Sequence, residues 1–159
     1  MPLTSRRTFC MAGAAALLAF DRAASAEATY PVQLSDAEWK RRLGKAQYAV
    51  LRQHGTERAF SSPLDREKRS GTFACAGCAN PVFSSATKFD SRTGWPSFWE
   101  PISGKVGTQE DRSLGTARTE VHCARCAGHL GHVFKDGPPP TGLRYCMNGV
   151  AMTFTPGPA

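Results

Sequence analysis

Apolar residues recur at helical spacing near the start of the chain, between residues 35 and 53. Ser35 and Glu38 stand three apart, the spacing of a capping box, in which each side chain binds the other residue's backbone N–H. The pattern predicts a helix over residues 35–43 and, after one glycine, a second helix over residues 45–53. Gly55 is expected to end the second helix, because glycine accepts the left-handed conformation of a C-cap.

From residue 71 the pattern changes to short β-prone segments separated by Gly, Pro, Asn and Ser. We predict strands over residues 71–74, 81–83, 98–102, 116–121, 131–134, 143–147 and 150–154. None of these segments alternates long enough to indicate a parallel α/β layout. The expected fold is mainly β, with antiparallel sheets and short N-terminal helices packed outside them.

The start of the chain has the organisation of an export signal. Two adjacent arginines precede an apolar stretch over residues 11–20, and a small-residue cleavage sequence ends at Ala26. This predicts a twin-arginine-type signal peptide over residues 1–26 and one domain over residues 27–159. The apolar stretch is shorter than the ~20 residues that span a bilayer. We therefore expect a periplasmic or otherwise exported protein with no stable membrane anchor after cleavage.

The charge of the chain argues against a nucleic-acid partner. The formal net charge is +7 at pH 7, but the basic residues are spread along the sequence. Local basic clusters occur at residues 40–42 and 66–69. Solvated surface explains both clusters, because a nucleic-acid interface would need a more extended basic stripe.

Four of the six cysteines form two Cys-x-x-Cys pairs. These are Cys75 with Cys78 and Cys123 with Cys126, while Cys10 lies in the predicted signal peptide. Two such turns can supply four thiolates to one structural zinc ion per chain, as zinc knuckles that staple the β region. Two alternatives remain: disulfides, which an exported protein can form, and a redox-active Cys-x-x-Cys, which lacks the expected surrounding βαβ pattern.

Cys146 is left without a partner, and is either an inert core thiol or a nucleophile. If residues 143–148 form a strand, Arg144, Cys146 and Asn148 project to one face of it. A guanidinium beside a thiol favours the thiolate, which is the nucleophilic form. We therefore expect the pKa of Cys146 to be lowered and this residue to be catalytic.

Four sequence stretches together resemble one enzyme family. They are G-H-L-G-H-V-F-K-D-G-P at 128–138, P-T-G-L-R-Y-C-M-N-G at 140–149, T-G-W-P-S-F at 93–98 and G-T-E at 55–57. The chain is similar, over roughly residues 35–155, to the peptide-methionine (R)-S-oxide reductases, the B-type methionine sulfoxide reductases. The resemblance implies two antiparallel β-sheets and the reduction of methionine-R-sulfoxide in oxidised peptides or proteins.

The resemblance also implies a catalytic mechanism. Cys146 would attack the sulfoxide and become a sulfenic acid as methionine is released. His129 and His132 would bind and protonate the sulfoxide oxygen, since histidine exchanges protons near neutral pH. Asp136 would orient a water network around the two histidines.

Further residues are assigned by the same resemblance. Arg144 and Asn148 would flank and tune Cys146, and Trp95 would form an aromatic wall against the methyl group of the substrate. From sequence alone, Trp95 can equally be a core residue. Thr93 stands where many family members carry a resolving cysteine. We therefore expect a one-cysteine cycle, in which a small thiol or a thioredoxin-like protein reduces Cys146 directly.

A different class of function is also compatible with the residues. The chain can be read as a non-catalytic zinc-binding module that recognises a partner through its β surface. In that reading Cys146 is simply buried.

Overall fold

The computed structural model describes residues 29–158. The predicted signal peptide, its cleavage site after Ala26 and Cys10 lie outside these residues. Within the described part, no helix combines the length and apolar character that crossing a membrane requires.

Two short helices precede the sheets, as predicted. Helix α1 spans Asp36–Arg42 and helix α2 spans Lys45–Gln53. The capping box is confirmed, since Ser35 Oγ accepts from the Glu38 N–H at 3.3 Å and the Glu38 carboxylate accepts from the Ser35 N–H at 2.8 Å. The inner faces of the helices bury a tryptophan, a valine and two leucines against the β region: Trp39, Leu43, Val50 and Leu51.

The end of helix α2 differs from the prediction. The left-handed residue is His54, with φ 55°, and the expectation that Gly55 would adopt this conformation was wrong. Gly55 instead donates its N–H to the Ala49 carbonyl at 2.9 Å. A residue with a Cβ seldom adopts this conformation. The direction of the His54 side chain is therefore set by an uncommon backbone conformation at the end of the helix.

Nine strands follow the helices: β1 (Gly71–Cys75), β2 (Pro81–Ser84), β3 (Lys88–Phe89), β4 (Ser97–Phe98), β5 (Val106–Asp111), β6 (Arg118–Cys123), β7 (His129–Phe134), β8 (Arg144–Met147) and β9 (Met152–Pro156). They form a three-stranded sheet in the order β2-β1-β9 and a six-stranded sheet in the order β3-β4-β8-β7-β6-β5. Every adjacent pair is antiparallel. The mainly β fold with two antiparallel sheets is confirmed.

Strands β3 and β5 were not predicted, and one predicted segment was too long. Strand β5 contains Gly, Gln, Glu and Asp and is largely exposed, so it shows no apolar alternation. It is held at the edge of the large sheet by pairing with β6. The segment predicted over residues 98–102 is a strand only at Phe98, because a Pro and a turn follow.

An aromatic cluster joins the two sheets. Phe73 of β1 and Phe83 of β2 pack against Phe98 of β4, with ring centroids 5.0 and 4.4 Å apart, and all three side chains are fully buried. Aromatic pairs of this kind contribute about 0.5–1.5 kcal/mol beyond their buried area. Because side chains alternate along a strand, Phe98 and Tyr145 face the small sheet, and Ser97 and Cys146 face the opposite side.

That opposite face carries a row of polar residues across five strands. The register pairs Gln109 with Glu120, Glu120 with His132, His132 with Cys146, and Cys146 with Ser97. Directly paired residues of antiparallel strands have Cβ atoms roughly 4.5–5.5 Å apart. The fold therefore brings together a carboxylate, an imidazole and a thiol that are far apart in the sequence.

Candidate active site and metal centre

A cavity of about 150 Å³ opens beside Cys146. Four predicted site residues line it, Trp95, His132, Cys146 and Asn148, together with Thr56, Arg118, Gly131 and Phe134. An apolar cavity of ~150 Å³ can hold a molecule the size of benzene. Three larger depressions of about 670, 630 and 340 Å³ are lined by neither cysteine nor histidine. The combination of nucleophile and imidazole thus marks the smaller cavity as the candidate active site.

Cys146 is half-buried and surrounded by hydroxyl groups. Its Sγ lies 3.9 Å from the Thr93 hydroxyl oxygen, and Ser91 hydrogen-bonds both Thr93 at 2.8 Å and Ser97 at 2.7 Å. Burial raises the pKa of the Cys146 thiol, while the Thr93 hydroxyl and Arg144 oppose the shift without reversing it. The expected lowering of this pKa was wrong, because desolvation outweighs the neighbouring cation. Cys146 is a thiol at neutral pH in the substrate-free protein.

His132 is held by a carboxylate. The Asp111 side chain accepts hydrogen bonds from His132 Nε2 at 2.7 Å and from Arg118 Nη2 at 2.6 Å. Hydrogen bonds from Ser113 first, and then from His132, keep the pKa of Asp111 below its usual range. Burial lowers the pKa of His132, and Asp111 opposes this shift without reversing it. His132 is therefore neutral near pH 7, with its proton on Nε2 and a lone pair on Nδ1.

His129 lies behind His132 and not on the cavity wall. Its side chain is buried, its ring centroid lies 5.3 Å from that of His132, and its Nδ1 donates to Glu120 Oε1 at 2.6 Å. Burial alone would raise the pKa of Glu120, but hydrogen bonds from His129 and Gln109 lower it to about 2. An ionised carboxylate therefore fixes the orientation of His129.

Asp136 and Arg144 pair with each other. Arg144 donates to both carboxylate oxygens of Asp136, at 2.9 and 2.7 Å, and its guanidinium lies 4.5 Å from the centre of the Phe134 ring. The Asp136 side chain is 61% exposed and outside the cavity. The structure thus brings Asp136 to Arg144 and not to the two histidines, where the resemblance had placed it.

Asn148 and Trp95 are fixed through Glu57. The Asn148 amide donates to the Leu130 carbonyl at 3.1 Å and accepts from the Glu57 N–H at 2.9 Å. Trp95 Nε1 donates to the Glu57 carbonyl at 3.1 Å. The Glu57 carboxylate accepts two backbone N–H groups of the 3₁₀ turn Gly149–Ala151, at 2.6 and 2.9 Å. Glu57 therefore holds the chain on both sides of the cavity.

Sequence reasoning missed several residues of this site. Arg118 lines the cavity, Asp111 and Glu120 hold the two histidines, and Glu57 positions the wall. A signal existed for Arg118 and Glu120, because charged residues at alternate positions of a predicted strand point to the same face. Asp111 gave no such signal, because its strand was not recognised.

The two Cys-x-x-Cys pairs form a second centre. The sulfurs of Cys75 and Cys126 are 3.7 Å apart, those of Cys78 and Cys123 are 3.6 Å apart, and all four lie within 4.8 Å of one another. Sulfurs bound tetrahedrally to zinc at ~2.3 Å are about 3.8 Å apart, whereas a disulfide requires ~2.0 Å. These four buried residues can hold a metal ion, and their geometry does not fit the disulfide alternative.

The loops around the four cysteines suit thiolates. Asn80 Nδ2 and the Arg125 backbone N–H each donate to Cys123 Sγ at 3.4 Å. Each pair is followed by an alanine in the left-handed conformation, Ala79 with φ 58° and Ala127 with φ 56°. The N–H of each alanine returns to the carbonyl of the first cysteine of its pair, at 2.8 and 2.9 Å. The two turns are therefore built alike, as two halves of one centre.

Comparison with known proteins gives consistent matches. Residues 43–156 match the SelR domain family. The chain is 53% identical over 126 residues to the peptide methionine sulfoxide reductase MsrB of Agrobacterium fabrum, covering 79% of this chain and 93% of that protein. It is 52% identical over 126 residues to the protein of the same name from Leptospira interrogans, with coverages of 79% and 96%. The chain is 54% identical over 124 residues to the protein of the same name from Methanosarcina barkeri, covering 77% of this chain and 87% of that protein.

The balance of burial and hydrogen bonding at Cys146 can be measured. Thr93→Val removes the hydroxyl that favours the thiolate and should raise the pKa of Cys146 further. The rate of Cys146 alkylation by iodoacetamide should then rise with pH along a curve displaced to higher pH than in the wild type. Thr93→Ser, which keeps a hydroxyl, is the control. If the curve of Thr93→Val were unchanged or displaced to lower pH, the contact with Thr93 would not stabilise the thiolate.

Proposed function

The chain belongs to the SelR domain family of B-type peptide methionine sulfoxide reductases, and we propose that it reduces methionine-R-sulfoxide in peptides or proteins at the Cys146 cavity. The observation that carries this assignment is the register of β7 and β8, which sets His132 directly opposite Cys146. Both side chains line the same cavity. A non-catalytic zinc module would have no use for a thiol, an imidazole and a carboxylate arranged in one row.

The protonation states suggest how the reaction begins. Cys146 is a thiol and His132 a neutral imidazole with Nδ1 available, so His132 can accept the thiol proton when the sulfoxide is bound. The resulting imidazolium is stabilised by Asp111 at Nε2. The proton then passes from Nδ1 to the sulfoxide oxygen. No proton from bulk solvent is required for this step.

The oxygen transfer balances as a two-electron exchange. The Cys146 sulfur is oxidised from thiol to sulfenic acid, and the sulfoxide sulfur is reduced to the thioether of methionine. One sulfur–oxygen bond breaks in the substrate, one forms on Cys146, and the thiol proton ends on the transferred oxygen. His129, fixed by Glu120 behind His132, supports the imidazole that faces the substrate.

The cavity walls fit the rest of the substrate group. Trp95 and Phe134 supply aromatic surface for the methyl group, while Arg118 and Asn148 supply polar edges near the oxygen. Trp95 cannot turn away easily, because its indole N–H is bound to the Glu57 carbonyl. A site that places apolar and polar groups on different walls can distinguish the two epimers of a sulfoxide.

Replacing Cys146 by serine tests the assignment. Cys146→Ser should show no turnover of a peptide methionine-R-sulfoxide with dithiothreitol, because a serine hydroxyl cannot accept the oxygen. Its circular dichroism spectrum and metal content should match the wild type, since the metal-binding cysteines are untouched. Retained turnover in Cys146→Ser would refute the mechanism.

We infer a one-cysteine cycle for regeneration. Among the residues described, the four cysteines other than Cys146 are gathered in the metal centre, and a threonine, Thr93, lies 3.9 Å from Cys146 Sγ, where a resolving thiol would be useful. An external thiol, from a small molecule or a thioredoxin-like protein, attacks the sulfenic acid and releases water. A second thiol then displaces the mixed disulfide and restores Cys146.

Installing a cysteine at position 93 tests this cycle. Thr93 Oγ1 lies 3.9 Å from Cys146 Sγ, close enough for Thr93→Cys to close an internal disulfide after one turnover. The wild type should instead accumulate Cys146 sulfenic acid, as seen by mass spectrometry without added reductant. An internal disulfide to Cys146 in the wild type would contradict the one-cysteine cycle.

We propose that the four-cysteine centre binds one structural zinc ion per chain. The sulfur spacings fit tetrahedral coordination, and four protein ligands leave no position open for substrate. Metal analysis should give about one zinc per chain. Cys126→Ser should lower both the zinc content and the melting temperature, the latter by about 10 °C or more, because metal binding contributes to folding. Metal-free cysteines that resist alkylation would favour disulfides.

We also propose that residues 1–26 direct export through a twin-arginine-type pathway. Such export carries folded cargo, which would allow zinc to be loaded before transport. The proposal is supported by the paired arginines, the short apolar stretch and the small residues before Ala26. The exported protein should begin near Glu27, and an N-terminus before Ala24 would refute the cleavage site.

A further inference from the structure

A cluster of two histidines and one glutamate lies at the end of helix α2, away from the four cysteines. His54 Nδ1 and His129 Nδ1 lie 3.1 and 2.6 Å from the same oxygen, Glu120 Oε1. The three ligand atoms all lie within 4.8 Å of one another. They come from a helix end and two adjacent strands, and the fold alone brings them together.

The backbone conformation of His54 serves this arrangement. The helix could end on Gly55, but the left-handed residue is His54, with φ 55°. This conformation carries the imidazole over His129, with ring centroids 5.2 Å apart. The His54 side chain is 61% exposed, whereas the Glu120 and His129 side chains are 3% and 2% exposed. The cluster therefore has buried ligands and one ligand at the surface, through which an ion can enter.

The donor set selects the kind of ligand. Two imidazole nitrogens and one carboxylate are the ligands of many zinc sites and suit divalent first-row transition ions. They do not suit Mg²⁺ or Ca²⁺, which prefer oxygen ligands. Coordination requires a lone pair on both Nδ1 atoms, so the Nδ1 protons must move. In His129 the proton can move to Nε2, which has no hydrogen-bond partner among the residues described.

We propose that His54, Glu120 and His129 form a second metal site, for a divalent first-row transition ion, and that its occupancy inhibits the reductase. The inhibition part of this proposal rests on the proposed function, because His129 lies directly behind His132. An ion on Nδ1 breaks the hydrogen bond from His129 to Glu120 and holds the ring in the other neutral tautomer, with its proton on Nε2. The metal thus acts on the active site from behind the cavity wall, without contacting Cys146.

Binding is tested first, in protein that cannot turn over. Cys146→Ser lacks the thiol that, among the residues described, lies outside the metal centre and would compete for the ion. The zinc-loaded variant is titrated with Ni²⁺ by isothermal calorimetry. We expect one Ni²⁺ per chain. His54→Asn removes one ligand but still accepts the left-handed conformation. It should weaken Ni²⁺ binding by at least about ten-fold, whereas Gln53→Ala, at the neighbouring exposed position, should leave it unchanged.

Two outcomes of the titration overturn the proposal. One is equal Ni²⁺ affinity with and without His54, and the other is no saturable binding to the zinc-loaded protein. Loss of zinc from the four cysteines is monitored in the same samples, so that exchange at that centre is recognised and cannot be mistaken for a second site. Because these measurements need no catalysis, they stand whether or not the proposed function is correct.

Inhibition is tested by single turnover of pre-reduced wild-type protein without added thiols, which would bind the metal. Ni²⁺ should suppress methionine release, and a chelator should restore it. Without added Ni²⁺, His54→Asn should release methionine as the wild type does, and it should resist the Ni²⁺ concentration that inhibits the wild type. Equal inhibition of His54→Asn would overturn the proposed regulation. Absence of methionine release in zinc-loaded wild type without added Ni²⁺ would instead refute the proposed function.

Discussion

The pairing of strand β7 with strand β8 is the constraint on which the site depends. It places His132 opposite Cys146, and the neighbouring pairing with β6 adds Glu120 to the same row. Gly131 makes the close approach possible, because a Cβ there would collide with the Cys146 carbonyl. A register shift of one residue would turn these side chains to the other face of the sheet. The proposed catalytic arrangement is thus a direct consequence of strand register.

Burial and hydrogen bonding shift the pKa in opposite directions in each of the two groups proposed to react, Cys146 and His132. Desolvation raises the pKa of the Cys146 thiol and lowers that of the His132 imidazole, so both are neutral before substrate binds. Moving one proton from sulfur to nitrogen creates the thiolate and the imidazolium together. Asp111 and the hydroxyl of Thr93 are placed to stabilise these two charges. Burial in this way keeps Cys146 as an unreactive thiol until a sulfoxide binds. Proton transfer to His132 then forms the thiolate and the imidazolium together.

Much of this arrangement was predictable from the sequence. The capping box located the first helix, β-prone segments located most strands, and the spacing of the cysteines indicated their grouping in one centre. The side chains of Cys146, His132, Asn148 and Trp95 do meet at one cavity.

Long-range contacts account for what was missed. Asp111 lies on a polar edge strand that only its pairing with β6 makes regular, so its contact with His132 had no local signal. The pKa of the Cys146 thiol depends on how deeply the side chain is buried, and the sequence does not show this. Likewise, Asp136 is near His132 in sequence but binds Arg144, because strand pairing sets Arg144 opposite Phe134, at the end of β7.

The most direct test is a single turnover of the reduced, zinc-loaded wild-type protein with each sulfoxide epimer and no reductant. We expect one methionine released per chain with the R epimer, and one sulfenic acid trapped by dimedone at Cys146. The S epimer should give neither product. Methionine release without oxidation of Cys146, or with oxidation of another residue, would show that Cys146 is not the residue that takes the oxygen.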